Sequence, residues 1–278
     1  MLRLHLGVHK TASTHLQRVL SDTFRDDDRV MYIGPSEFRK FTKWKKGENC
    51  FDVDYSRAYL EKNSSVAENL ILSEENICGD TFDAFDNDRL YENISQRLNS
   101  LSEFFNAFED IEIFVTIRNP ATYLPSVYCE ALRWRAYRPF SDLYHGKHNQ
   151  SWVPVIKDIL QALPGRKINV MAYENYREDL TNILKMMGAV TPVALKSERV
   201  VRPSFVSRSI KVMEPISRYI PKRIQPQFLF IVDFFLRKVD AKKFQPFSRD
   251  EVDVLSTRYR RDIEELSQLT NINLVSRF

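Results

Sequence analysis

The chain has 278 residues, 43% of them hydrophobic, with 41 Lys and Arg against 37 Asp and Glu. That apolar mass supports a substantial core, and a net charge of +4 suits anionic ligands while falling short of the concentrated patch of a nucleic-acid-binding protein. Its three cysteines, Cys50, Cys78 and Cys129, are widely spaced without a C-x-x-C pair, which argues against a disulfide framework or a zinc site and reads as a reducing, cytoplasmic setting.

Taken in chain order, Leu2 to Val8 reads as a buried strand, without the basic start, long apolar run and small-residue cleavage site of a signal peptide. The stretch LGVHKTASTHLQ, residues 6 to 17, leaves it and enters a helix predicted over Thr14 to Phe24. Further strands are predicted at Val30 to Ile33, Asn69 to Ser73, Ile111 to Ile117 and Lys167 to Ala172. Helical patterns lie near Arg89 to Phe108, Leu124 to Tyr137, Val153 to Leu163 and Arg177 to Met187. This alternation implies an α/β fold of three layers, a mostly parallel sheet flanked by helices, with ligands beyond the carboxyl ends of the strands. One domain over residues 1–278 is expected, with 34–69 and 203–250 as additions around the sheet. Within the second, QFLFIVDFFLRKV, Gln227 to Val239, is strongly apolar and bordered by Lys222, Arg223, Lys242 and Lys243. It is too short to span a bilayer, so it packs on the core or a partner subunit, or docks on a membrane surface through residues 222–243.

A loop running from a strand into a helix offers backbone N–H groups at the positive end of the helix, a ready anion site. Lys10 adds a point charge, and Thr11, Ser13 and Thr14 add hydroxyls. The bland alternative is an ordinary helix start capped by Ser13 or Thr14. The Walker pattern is absent, since no glycine stands at the required place before Lys10, and the fourth strand ends in Arg118 rather than a magnesium-binding aspartate. In IEIFVTIRNPATYLPSVY, Arg118 offers a planar fork for a phosphate dianion. Pro125 predicts a helix beginning near Leu124, which would leave the N–H and hydroxyl of Ser126 to bind an anion. Two phosphate cradles on neighbouring strands are therefore expected.

These stretches resemble the sulfotransferases that use 3'-phosphoadenosine 5'-phosphosulfate (PAPS), of the bacterial carbohydrate type with a P-loop NTPase-like fold. KTAST, Lys10 to Thr14, is similar to that family's 5'-phosphosulfate loop K-[ST]-G-[ST]-[ST], and RNPATYLPS, Arg118 to Ser126, to its R-x7-S element for the 3'-phosphate. LILSEENI, Leu70 to Ile77, VMAYENYREDLTNILKMMGA, Val170 to Ala189, and the closing YRRDIEELSQLTNINL agree in order and position. Ala12 departs from the family's glycine, at a cost of about 1 to 2 kcal/mol if its φ is positive.

The resemblance implies PAPS as donor, adenosine 3',5'-bisphosphate (PAP) as product and direct transfer of the sulfuryl group to a hydroxyl or amine. No metal is required, because side-chain charge and helix dipoles replace it. Lys10 would stabilise the bridging oxygen, with His9 bracing the loop or assisting. Glu75 is the favoured general base, with Glu74 and Glu37 as alternatives. Tyr173 matches a position near the adenine, and Arg199 and Arg202 match a late basic loop at the 3'-phosphate. RWRAYRPF, Arg133 to Phe140, and FRKFTKWKK, Phe38 to Lys46, interleave rings with cations, suiting a carbohydrate or glycan-bearing acceptor, although solvated helix faces look the same. His145 and His148 read as a solvated loop pair. A nucleotide kinase and a catalytically degenerate nucleotide-binding protein remain alternatives.

Overall fold

A computed structural model describes residues 1–45, 48–52, 54–56, 58–59, 69–84, 89–144, 150–190 and 203–276. Six strands form one parallel sheet: β1 (Leu2–Leu6), β2 (Val30–Ile33), β5 (Asn69–Ser73), β6 (Ile111–Ile117), β7 (Lys167–Ala172) and β8 (Ile272–Leu274), in the order β2-β5-β1-β6-β7-β8. A separate antiparallel pair, β3 (Thr42–Lys45) and β4 (Glu48–Phe51), lies in the first addition.

Period-two alternation gives the sheet two apolar faces. Leu2, Leu4 and Leu6 of β1 join Leu70, Leu72, Ile113, Val115 and Val170 in one core. Ile71, Phe114 and Met171 point into the other, against Leu16 and Leu20 of helix α1 (Ser13–Thr23) and Leu180 and Ile183 of a later helix, Tyr176–Met186. The sheet is thus sandwiched between helical layers, the first face being covered in part by Val153–Ala162 and Arg249–Ser267.

The segment predicted as one helix over Arg89 to Phe108 is instead two short helices, Ile94–Asn99 and Ser102–Phe105, and Tyr91 at φ 48° keeps the preceding residues out of the first. The closing strand β8 was not predicted: only three residues long, it pairs at the sheet edge with β7.

Chain direction sets the position of the cleft. From β1 the chain crosses to β2 on one side, whereas β6 leads away to β7 and β8 on the other, so β1 and β6 flank the topological switch point. In a parallel sheet the loops at that point diverge and leave a crevice beyond the carboxyl ends. The register pairs Leu6 with Val115, which carries Arg118 to the level of His9 and Lys10.

Candidate functional site

The loop after β1 turns sharply. A Cβ on Gly7 would lie 3.0 Å from the Ser13 Cβ and 3.1 Å from the His5 Cε1, so glycine permits the close return of the chain. Lys10 at φ 63° and Ala12 at φ 66° are both left-handed, a conformation that costs a residue with a side chain about 1 to 2 kcal/mol. Ala12 is the N-cap of α1 and provides no side-chain bond to it. The His15 amide bonds back to the Ala12 carbonyl at 2.9 Å, while α1 has no side-chain cap for the amides of Ser13 and Thr14, a local geometry of the kind that gathers N–H groups around an anion.

Around this loop the side chains are specific. The Thr11 hydroxyl donates to the Val8 carbonyl at 2.6 Å, and the Ser13 hydroxyl donates to Glu75 Oε2 at 2.6 Å. Both protons brace the loop, and Thr14, exposed at the second position of α1, is the loop hydroxyl turned to solvent. His9 is nearly buried, and its Nδ1 has no hydrogen-bond partner among the described residues. Such an orphan, beside an uncapped helix start, fits a site completed by a polar ligand.

Arg118 comes from the end of β6 to meet this loop. Its Nη1 donates to the Lys10 carbonyl at 2.8 Å, its Nε donates to the Thr122 hydroxyl at 3.0 Å, and its guanidinium lies 4.1 Å from the centre of the Tyr173 ring. Its backbone is fixed as well: the Trp152 indole donates to the Arg118 carbonyl at 2.7 Å, while the Asn119 amide donates to Glu174, which also accepts from the Tyr259 hydroxyl. Sequence reading missed Trp152, Glu174 and Tyr259 in this role, though Glu174 sits beside Tyr173 in the YEN stretch.

Helix α2 spans Pro35–Phe41, and the helix after Arg118, α3, spans Pro120–Ala131 and does not begin near Leu124 as expected. Pro120 takes the first helical position, and the Asn119 side chain accepts from the Ala121 amide as the cap. Pro125 is consequently inside the helix, where its missing N–H leaves the Ala121 carbonyl without a ladder partner; the Gln245 amide donates to that carbonyl at 3.4 Å. Ser126 stands in the second turn, so its amide belongs to the helix ladder and only its hydroxyl, 3.4 Å from that of Ser204, is suited to a ligand.

Helical spacing puts Thr122, Ser126 and Glu130 on one stripe. Arg118 reaches Thr122 at one end of it, and at the other Glu130 Oε2 lies 3.4 Å from Lys10 Nζ and 3.2 Å from Arg133 Nε. The stripe thus runs along the first loop, touching the Lys10 carbonyl through Arg118 and its ammonium through Glu130. Burial pulls the Lys10 pKa below the ordinary lysine value, and the Glu130 carboxylate opposes that shift. Glu130, unforeseen from sequence, holds the Lys10 side chain in the cleft.

No protein-family model matches this chain, and no curated protein does. Among solved structures, a sulfotransferase from Alicyclobacillus acidocaldarius is similar, at 14% identity over 87% of this chain and 96% of that one, with a TM-score of 0.42. So loose a superposition carries no chemistry across, and the reading of this cleft rests on its own residues.

The three candidate carboxylates separate by direction. Glu75 reaches Ser13, next to the first loop. Glu74, adjacent in sequence, points the other way and is fully buried: it takes a bidentate pair from Arg39 at 2.8 Å and accepts from the Asn76 amide. Burial pushes the Glu74 carboxyl up, against the pull of Arg39, and both its oxygens are engaged in bracing the chain. Glu37 pairs with Lys40 one turn along α2, at 2.6 Å. Arg199 and Arg202, like His145 and His148, lie outside the described residues.

Arg135, Tyr137 and Arg138 of the aromatic and basic stretch line a cavity of about 430 Å³ with Phe82, Tyr128 and Lys222. The Arg135 guanidinium lies 3.7 Å from the centre of the Phe82 ring and pairs with Asp80. Cys78 and Cys129 are buried free thiols, each pushed up to about 12 by burial, and so unreactive near neutrality.

Proposed function

We propose that this chain is a sulfotransferase that moves the sulfuryl group of PAPS to a hydroxyl or amine of a carbohydrate or glycan-bearing acceptor. The observation that carries the reading is the Arg118 guanidinium bonded at 2.8 Å to the Lys10 carbonyl across the switch point. One nucleotide can then reach both a 5' loop and a 3' anchor.

In this reading the amides of α1 and the Thr14 hydroxyl receive the 5'-phosphate, and His9 Nδ1 bonds the same group. Arg118 and the Ser126 hydroxyl receive the 3'-phosphate, and Tyr173, already against Arg118, forms a wall for the adenine. The acceptor oxygen attacks sulfur in line as the bond from sulfur to the bridging oxygen breaks. Lys10 neutralises the charge gathering on that oxygen, and the acceptor's proton passes to Glu75. Arg199 and Arg202 are proposed as additional cations for the 3'-phosphate, and the cavity beside Arg135 and Tyr137 as a place where an acidic sugar chain could rest.

Radiolabelled PAPS offered with a panel of hydroxyl and amine acceptors tests the assignment. Transfer without added metal, lost with Lys10→Met, supports it. Preference for magnesium-ATP over PAP would replace it with a kinase, and tight PAP binding with no transfer to any acceptor would make the chain a nucleotide-binding protein without turnover.

A further inference from the structure

The apolar helix Gln225–Val239, here α4, is built inside out. Its buried residues are Gln225, Leu229 and Asp233, a stripe at four-residue spacing that is polar at two of three positions. Gln225 donates to the carbonyls of Ser217 and Ile220 and accepts from the Tyr137 amide. Asp233 accepts from the Val206 amide, the Ser209 hydroxyl and Arg237. These polar anchors leave Ile231, Phe234, Phe235 and Val239 57 to 71% exposed, whereas Phe230, although more than half exposed, sets its ring edge-on to the buried Phe205 ring at 6.2 Å and beneath the Arg133 guanidinium. Of the apolar run only Leu229 joins the core, with Phe228 packed against it. Monomeric surfaces scatter such residues singly and seldom line them along one helix.

The surrounding charge decides what covers this face. Residues 203–244 carry nine cations, Arg208, Lys211, Arg218, Lys222, Arg223, Arg237, Lys238, Lys242 and Lys243, against three carboxylates, Glu214, Asp233 and Asp240. Two of the three are already neutralised within the segment, Asp233 by Arg237 and Asp240 by Arg208. The local excess of six exceeds the +4 of the whole chain, so the remaining residues are net acidic. Lys238 sits over the Phe234 ring at 4.5 Å, between Phe234 and Ile231 at helical spacing, and Arg218 over Tyr219 at 4.8 Å, so cations flank the exposed rings. A second copy would bring two such cationic rims together, whereas an anionic lipid surface accepts rings into its acyl boundary and lysines among its headgroups. Fifteen residues rise about 22 Å, short of the roughly 30 Å of a hydrocarbon core, and no helix among the described residues is long and apolar enough to cross a membrane.

We propose that α4 lies in the plane of an anionic bilayer, inserting Ile231, Phe234 and Phe235 and holding headgroup phosphates with Lys222, Arg223, Lys238, Lys242 and Lys243. Apart from Lys222, which also lines the cavity beside Arg135, the docking surface shares no residue with the groups assigned to the cleft. Co-sedimentation of the full chain with phosphatidylglycerol-containing vesicles, and with pure phosphatidylcholine vesicles, reads it directly. Binding is expected on the anionic vesicles, falling about fivefold for each cation removed, as in Lys242→Gln with Lys243→Gln, and at least about tenfold for Phe234→Ser with Phe235→Ser. Both variants change exposed positions, and an unaltered thermal melt verifies that they fold. Equal binding to the two vesicle types, no binding to either, or undiminished binding by the folded Phe234→Ser, Phe235→Ser variant would overturn the proposal. So would a concentration-dependent dimer in sedimentation velocity that this variant converts to monomer.

Discussion

Two helices start at the carboxyl ends of adjacent strands, and they are finished in opposite ways. After β6, helix α3 has Asn119 as a bonded cap, Pro120 at its first position and the Asn119 amide held by Glu174, so its end is closed by the chain itself. After β1, helix α1 begins at Ala12, which is left-handed and without a capping side chain, behind Lys10, also left-handed. A chain that needed only a stable helix start would use the first arrangement twice. The contrast teaches where a ligand belongs: α3 is a fixed arm that holds Arg118 on the Lys10 carbonyl, and α1, two residues further along that loop, starts without a side-chain cap.

The largest effect expected from disturbing this contrast is on turnover. Lys10→Met should reduce sulfuryl transfer about a hundredfold to a thousandfold, measured under single-turnover conditions, with PAP affinity changed far less. A comparable loss of affinity and turnover together would mean that Lys10 only binds. Next comes the floor beneath the loop, where His5 lies fully buried with Nδ1 2.7 Å from the Ser73 hydroxyl. Burial lowers its pKa to about 4 from the ordinary 6.5, so the folded state binds fewer protons than the unfolded chain between those values. The stability contributed by neutral His5 is present above about pH 6.5 and is lost as pH falls toward 4, by about 3 kcal/mol. Urea denaturation at the two pH values should show this decrease, and His5→Gln should remove most of it.

Smaller effects separate the two helix starts directly. Asn119→Ala should destabilise the protein by about 1 kcal/mol in urea, because it opens the one end that the chain closes. Ala12→Gly should instead stabilise it, by about 0.5 to 1 kcal/mol, since relief of the left-handed conformation outweighs the extra freedom of the unfolded chain. If Ala12→Gly were destabilising, the loop conformation on which the contrast rests would be wrong.

Much of the sheet was legible because burial on both faces writes strands as short apolar runs: Val30 to Ile33, Asn69 to Ser73, Ile111 to Ile117 and Lys167 to Ala172 have the bounds that sequence predicts. The β3 and β4 pair and the edge strand β8 gave no such runs. The start of α3 was misread because two prolines compete for the first helical position, and only tertiary contact, with Gln245 serving the Ala121 carbonyl, makes Pro125 tolerable inside. In the cleft, Lys10 and Arg118 were readable from their places after strands. Glu130 was not, since a glutamate within a helix looks like a solvated surface residue until the fold brings it to Lys10. For α4 the sequence left packing on the core, a partner subunit or a membrane surface open, because apolar residues alone do not say which side is buried; the bonds of Gln225 and Asp233 reveal which side is turned in.

The central claim is that both anion cradles serve one nucleotide. Calorimetric titration without magnesium, comparing PAP with adenosine 5'-phosphate and adenosine 3'-phosphate, tests it most directly. The account predicts that PAP binds far more tightly than either monophosphate, and that Ser126→Ala weakens PAP and the 3'-phosphate while leaving the 5'-phosphate unchanged. Equal affinities for PAP and adenosine 5'-phosphate, undisturbed by Ser126→Ala, would contradict it.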